Sequence, residues 1–425
     1  MINTILDTYI NNEKGTDFTC YTPKGIKDLL HVLGDPHKQI KSIHVAGTNG
    51  KGTTCHILAS VLKNAGYKTG LFISPHLLRI NERISINLSE ITDNELLFFL
   101  TKADKAAKEL NITITYFDIL TAAALCYFES KNVDIAVIET GLGGRLDSTN
   151  VIFPFLSIIT DISLDHTHIL GETIKKITGE KCGIIKPGVP VITTNENETV
   201  IEIIEKSAVM NGSPLYVMNR TFTAEKLQEE NIAIKFRFTF NDTHPLIIET
   251  SLFPEHQIKN SAAAAAALMI MKKKGYTLIT PEIIITTMKN ITIPGRFQRL
   301  SSSLNVFFDP AHNISSLNNI IREIKIKFSG YKILLIMTMM KDKVTGPVLE
   351  LLKSEKDNII YFKSGDPREY LPKEKDFSLI TDNRVLIINR IKSENLNKSI
   401  ILFTGTFRIY GFASEAAKIL EQDRF

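Results

Sequence analysis

The chain has 425 residues, of which 44% are hydrophobic and 23% charged, with a formal net charge of +4. This length exceeds one ordinary hydrophobic core and predicts two domains, and the balance is that of a well-folded soluble protein. The charge is too small and too scattered for a nucleic-acid surface: the longest lysine run, Lys272-Lys273-Lys274, ends an alanine-rich helical stretch, where cations suit the helix dipole.

Along the chain, short apolar runs alternate with helical stretches, the pattern of a parallel sheet flanked by helices. Strands are predicted over 42–46, 69–73, 133–139, 155–160 and 189–194, with helices over 54–64, 93–110 and 118–129. A more polar, alternating stretch over 232–240, followed by 245–250, reads as antiparallel hairpins at the edge of this first domain. Residues 256–274 form a helix with six consecutive alanines, Ala262 to Ala267, and with Asn260 and Ser261 at its expected N-cap. Ile293-Pro294-Gly295-Arg296 reads as the connection between domains of 1–294 and 295–425. Beyond it, strands over 305–309, 332–337 and 399–404 alternate with helices over 315–328 and 411–422. The expected fold class is α/β: a phosphate-loop domain with a mainly parallel sheet flanked by helices, plus a smaller Rossmann-like C-terminal α/β domain. Cys20, Cys55, Cys126 and Cys182 are isolated, which argues for a reducing compartment and against a disulfide framework or a structural zinc site. Residues 1–14 contain no apolar signal core and no apolar run reaches bilayer length, so a cytoplasmic protein with no membrane or nucleic-acid partner is expected.

Three clusters carry chemistry. The buried run Ile43-His44-Val45-Ala46 leads into Gly47-Thr48-Asn49-Gly50-Lys51-Gly52-Thr53 and then a helix. Glycines let successive N–H groups turn toward an anion, the helix start adds partial positive charge, Lys51 can reach terminal phosphates, and the Thr53 hydroxyl can ligate magnesium. The loop departs from G-x-x-x-x-G-K-[ST], because Gly52 separates the lysine from the threonine. Glu139 ends a buried strand and is followed by Thr140-Gly141-Leu142-Gly143-Gly144-Arg145-Leu146-Asp147. A carboxylate there points into the crevice where open α/β sheets bind ligands, and magnesium with phosphate takes one or two carboxylates. The third cluster is Asp165-His166-Thr167-His168, where His166 is the candidate ligand and His168 reads as a capping or surface residue; Lys181 lies fifteen residues beyond His166.

These blocks, with Ile73-Ser74-Pro75-His76-Leu77, Glu180-Lys181-Cys182-Gly183-Ile184, Pro294-Gly295-Arg296-Phe297-Gln298 and Asp309-Pro310-Ala311-His312-Asn313, resemble the folylpolyglutamate synthase and dihydrofolate synthase family, in its order and over nearly the whole chain. The resemblance implies a ligase that couples ATP cleavage to amide formation: a substrate carboxylate attacks the γ-phosphate, and the amino group of L-glutamate displaces phosphate from the acyl phosphate. It assigns ATP to Asn49, Gly50, Lys51, Gly52, Thr53, Asn260, Arg296, Asp309 and His312, with ATP between the domains and closure completing the site. It assigns magnesium, two ions, to Thr53, Ser74, Glu139, His166 and Lys181. Lys181 matches a lysine the family carries as a carbamate, a step that requires the neutral amine and hence a depressed pKa. It assigns the pterin to Thr115, Tyr116, Phe117 and Asp118, and to Leu146, Asp147 and Ser148. Asp118 departs from the family's usual glutamate, and one methylene less would lose the contact or leave it water-mediated. The second segment is similar to that of bacterial enzymes that also accept dihydropteroate, which favours a bifunctional enzyme over a polyglutamylase alone; the family's members are generally monomers, which implies a monomer here. A Mur-type ligase of UDP-linked peptides is the rival: it usually has threonine or serine directly after the loop lysine and an extra N-terminal domain, whereas only about 40 residues precede this loop. A regulatory protein that has lost catalysis predicts damage at Lys51, Glu139, His166 or Lys181, all of which are intact.

Overall fold

The computed structural model describes residues 1–10, 23–230, 233–241, 243–373 and 376–422, so Cys20 and Ile232 lie outside the described residues. The chain forms two compact units, the first made of Met1–Glu229, Ile234–Ser251 and Gln257–Ile291, the second of Glu230–Ala233, Leu252–His256 and Thr292–Phe425. The long second-unit segment begins at Thr292, against 295 expected, and two short earlier segments join it, which a single dividing point cannot represent.

In the first unit β1 (Ser42–Ala46), β2 (Thr69–Phe72), β3 (Ile84–Ile86), β4 (Ser89–Glu90), β5 (Ile135–Glu139), β6 (Leu156–Ile159), β7 (Val191–Thr193) and β8 (Leu215–Val217) form one sheet in the order β4-β3-β2-β5-β1-β6-β7-β8. All neighbours are parallel except β3 against β2 and β4 against β3. Every residue of β1 and β5 is buried, as their near-continuous apolar runs require of central parallel strands. Val45 pairs with Glu139 and Ala46 with Ile159, so β1, β5 and β6 finish together at one edge of the sheet.

Helix boundaries follow capping chemistry. The helix after β1 is Lys51–Asn64, three residues earlier than expected, because Gly50 caps it at φ +89°, which a side chain resists. The helix Asp93–Leu110 is closed by a capping box between Thr92 and Glu95. The helix Tyr116–Ser130 opens with a second box between Thr115 and Asp118. The helix Gln257–Lys273 packs against Lys51–Asn64 and β7, with Ala262 to Ala267 all fully buried. Asn260 and Ser261 lie inside this helix and not at its N-cap as expected, since it starts at Gln257. The hairpins form a sheet of their own, β9 (Phe222–Glu230), β10 (Ala233–Phe240) and β11 (Leu246–Thr250), in the order β11-β10-β9. In β10, buried Ile234, Phe236, Phe238 and Phe240 alternate with exposed Lys235 and Arg237, a one-sided sheet.

The second unit holds β12 (Gln298–Arg299), β13 (Val306–Phe308), β14 (Lys332–Met337), β15 (Ile359–Phe362), β16 (Leu379–Thr381) and β17 (Ser399–Thr404), ordered β12-β13-β17-β14-β15-β16. Only β12 is antiparallel to its neighbour. Phe307, Leu335, Met337 and Leu402 join Leu317, Ile320 and Ile324 of the helix Ile314–Lys327 in its core.

Candidate active site

The loop from Gly47 to Thr53 sits at the edge where β1, β5 and β6 end. It is stitched to the segment after β6: Thr48 and Asn49 donate backbone N–H groups to the Asp161 carbonyl at 2.7 and 3.3 Å. The Asn49 amide donates to Asp161 Oδ2 and Ser163 Oγ, and the Thr160 hydroxyl donates to the Asn49 carbonyl at 2.8 Å. Thr160, Asp161 and Ser163 were not singled out from sequence, although polar residues after a buried strand are the same signal that marks Glu139. The first N–H groups of the helix, from Lys51 onward, have no intrahelical acceptor and face the loop. A Cβ on Gly50 would lie 2.1 Å from Asn260 Oδ1, so Asn260 is placed against the loop despite not being a cap.

Two ammonium groups converge on one carbonyl. Lys51 Nζ donates to Gly47 O at 3.0 Å and to Thr48 O at 3.3 Å, while buried Lys181 donates to the same Gly47 oxygen at 2.7 Å. Glu139 is buried at the end of β5 and accepts the Ser74 N–H at 3.1 Å. Burial, reinforced by the Glu139 charge and opposed by Lys51, pushes the Cys55 thiol well above its ordinary pKa, so Cys55 is no nucleophile. His166 is left-handed at φ +47° and opens the short helix Thr167–Leu170, with its N–H on Asp165 Oδ1 at 2.8 Å; His168 is exposed. Thr53, Ser74 and Glu139 offer oxygen donors with one carboxylate, a set that fits magnesium, which keeps waters and phosphate oxygens. Among the described residues no three His, Cys, Asp or Glu side chains gather into a fuller cage.

The glycine-rich turn after β5 packs onto the end of the helix Ile174–Cys182 that carries Lys181. A Cβ at Gly144 would meet the Glu180 carbonyl at 2.8 Å and the Lys181 Cα at 3.0 Å, and one at Gly183 the Arg145 Cα at 2.3 Å. Arg145 adds an N–H to Glu180 O at 2.7 Å and its guanidinium to the Glu180 carboxylate at the same distance. The turn is filled by its own carboxylate. Asp147 Oδ2 accepts Leu142 N–H at 2.7 Å, and Oδ1 accepts the Thr149 N–H at 3.0 Å and hydroxyl at 2.5 Å. Burial raises the Asp147 pKa, opposed by these donors and the Gly141 N–H. His44 of β1 lies 2.8 Å from the Thr149 hydroxyl, and burial, with a smaller contribution from Lys186, pushes its pKa down to about 3.

The residues expected at the pterin are placed unevenly. Asp118 Oδ2 accepts the N–H and hydroxyl of Thr115 at 2.8 Å each, and Oδ1 accepts the Ser148 hydroxyl at 2.6 Å. Both Asp118 and Asp147 thus face inward as structural acceptors. Tyr116 is buried beneath the Arg83 guanidinium, 5.7 Å from its ring, while Phe117 stacks on Phe72 at 5.6 Å; Phe117 and Leu146 are half-buried.

In the second unit Asp309 follows β13. Its carboxylate accepts the N–H groups of Phe297 and Ala311, both at 3.0 Å. Burial raises its pKa, and nearby Arg296, those N–H groups and His312 oppose the shift. Arg296 lies over the Phe407 ring at 5.3 Å, and His312 Nδ1 bonds the Pro310 carbonyl at 2.8 Å. Asp366, in the loop after β15, is bonded to Arg368 of the same loop and to Arg408 after β17; β15 was not predicted, and the sequence singled out none of the three.

The profile of the Mur ligase middle domain matches residues 45–268, the stretch that holds the glycine-rich loop at the carboxyl edge of the parallel sheet, the strand-end carboxylate Glu139 and buried Lys181, and it sets the class of the domain. A Bacillus subtilis (strain 168) dihydrofolate synthase/folylpolyglutamate synthase is 34% identical over 398 residues, 90% of this chain and 91% of that protein. The chain belongs to this family. Its fold superimposes on the apo form of L. casei FPGS with a TM-score of 0.85, 27% identity and coverage of 99% and 98% of the two chains. An FPGS–AMPPCP–folate complex gives a TM-score of 0.82 at 28% identity over 99% and 98%. Among the described residues no helix is long and apolar enough to cross a membrane.

Proposed function

We propose that this chain is an ATP-dependent ligase that joins L-glutamate to a folate-type carboxylate, accepting both dihydropteroate and tetrahydrofolate. The observation that carries the reading is the convergence of Lys51 and Lys181 on the Gly47 carbonyl, beside Glu139, in a chain of this family. The N–H groups at the start of the helix Lys51–Asn64 receive the phosphates. Lys51 exchanges its bonds to Gly47 and Thr48 for phosphate oxygens. A substrate carboxylate oxygen then bonds to the γ-phosphorus as the bond to ADP breaks. The glutamate amine attacks the resulting acyl carbon, loses a proton, and phosphate leaves. Such transfers need charge neutralisation and positioning more than a covalent side chain.

Magnesium, held by Thr53, Ser74, Glu139 and His166, supplies charge neutralisation of the phosphate oxygens when bound. Two cations on one carbonyl repel, and once Lys181 Nζ has given up a proton its nitrogen would bond to the carbon of carbon dioxide and release a second proton, leaving a carbamate carboxylate that suits a metal in place of one cation. Asn260 lines the loop, and Arg296, Asp309 and His312 supply the second unit's nucleotide contacts. Phe117 and Leu146 are the proposed pterin contacts. Thr115 and Ser148 bond Asp118 and, with Tyr116 and Asp147, hold those segments in place. We place the enzyme in the cytoplasm as a monomer.

The test is ADP release with magnesium, ATP and glutamate, run separately with dihydropteroate and tetrahydrofolate. Turnover with both, abolished in Lys51→Ala, is expected. Activity with tetrahydrofolate alone means a polyglutamylase, and silence with both turns attention to UDP-linked peptides.

A further inference from the structure

We propose that His44, Thr149 and Asp147 form a buried hydrogen-bond chain that positions the turn 141–147, and through it Glu139 and Lys181, for ligation. The proposal rests on the ligase reading above.

The chain has a defined direction. The Thr149 hydroxyl has one proton, and it goes to Asp147 Oδ1 at 2.5 Å. The Thr149 oxygen must then accept from His44 Nε2 at 2.8 Å, which fixes the imidazole as the Nε2–H tautomer. His44 Nδ1 is buried with no hydrogen-bond partner, as the bare lone pair of the Nε2–H tautomer would be. His44, Thr149 and Asp147 are 0%, 0% and 2% exposed, so the links lie away from bulk solvent. A chain of this kind, closed to solvent, holds geometry more firmly than its separate bonds.

Its output is the placement of two groups. Asp147 Oδ2 takes the Leu142 N–H, three residues beyond Glu139. At the other end of the turn, the Asp147 N–H bonds the Gly144 carbonyl at 3.2 Å, and Gly144 rests on the backbone of Glu180 and Lys181. The β1 strand that carries His44 also continues directly into the phosphate loop, and the Thr140 N–H bonds the Val45 carbonyl at 2.9 Å. One strand therefore anchors both the loop that receives phosphate and, through three side chains, the turn that seats the acidic and basic groups beside it.

Thr149→Val removes the hydroxyl at constant shape, and Thr149→Ser restores it. Expected in Thr149→Val is a fall in kcat of about ten- to a hundredfold with the KM for ATP nearly unchanged, because the phosphate loop itself is untouched. Thr149→Ser should recover most of the rate. A wild-type kcat in Thr149→Val, a KM for ATP rising in step, or no recovery in Thr149→Ser overturns the proposal. Two readouts stand apart from activity: nitrogen-15 NMR of His44 should show the Nε2–H tautomer from pH 5 to 8, and amide exchange at Leu142 should quicken in Thr149→Val. An Nδ1–H tautomer, or unchanged exchange at Leu142, also overturns it. If the wild-type protein releases no ADP with any acceptor, the ligase reading fails, while these two readouts still decide the chain.

Discussion

The turn after β1 and the turn after β5 leave neighbouring parallel strands at the same edge, and both are rich in glycine, yet their backbone N–H groups go to different places. In the first, no intrahelical acceptor takes the N–H groups that begin the helix Lys51–Asn64, which the proposed function gives to the phosphates, and Lys51 of the loop and Lys181 of a neighbouring helix donate to its carbonyls. In the second, an internal carboxylate, Asp147, fills the turn and takes the N–H groups itself. An anion-receiving loop and an anion-filled loop look alike in sequence. What separates them is where the nearest carboxylate points. Glycine serves the first by permitting a left-handed cap at Gly50, and the second by letting backbone lie on backbone at Gly144 and Gly183.

The contrast can be broken most decisively at Lys51. Lys51→Ala should lower kcat about a hundred- to a thousandfold in the ADP-release assay while the thermal midpoint barely moves. A large loss of thermal stability instead would make the lysine a strut of the loop. Next comes the packing of the second turn. Gly183→Ala should cost about 1–3 kcal/mol in denaturant unfolding, since its Cβ has no room. Gly179→Ala, inside the helix that Gly183 caps and with nothing within 4 Å, should instead stabilise by about 0.5–1 kcal/mol. Equal effects at both sites would remove close approach as the reason for glycine here.

The link from β1 to the second turn is sharpened by pH. His44 ordinarily titrates near 6.5 and is held near 3 when folded, so the unfolded chain binds the extra proton between those values. Its contribution to stability is present above about 6.5 and is lost as pH falls toward 3. From pH 7 to pH 5 the wild type should lose about 2 kcal/mol more unfolding free energy than His44→Gln. Parallel pH profiles would mean that His44 is protonated or exposed. A smaller loss than at Gly183 or His44 is expected at the neighbouring capping box. Asp118→Ala should lose about 1 kcal/mol of stability, and retention of full stability would return its carboxylate to the ligand.

Strands and long helices were legible because their signals are local. Buried runs such as 42–46, 332–337 and 399–404 match β1, β14 and β17, and the capping box at Thr92 and Glu95 marks the start of the helix Asp93–Leu110. The short strands β3, β4 and β12 were not, since two or three residues show no period. At the site, residue type named Lys51 and Glu139 as functional, and the structure places them at one strand edge. Residue type could not say which carboxylates turn inward. Asp118 and Asp147 satisfy donors within their own segments, and that orientation depends on Thr115, Ser148 and Thr149 being correctly placed in three dimensions.

The six alanines from Ala262 to Ala267 are fully buried in the helix Gln257–Lys273, which packs between the helix Lys51–Asn64 and β7. Adding even a methyl group there overfills the contact, at about 1–3 kcal/mol for each enlargement. A saturation mutagenesis screen scored by growth would therefore mark this stretch as strictly as the loop itself. Its intolerance would be one-sided: glycine would survive where valine and leucine fail, a size filter that a catalytic position does not show.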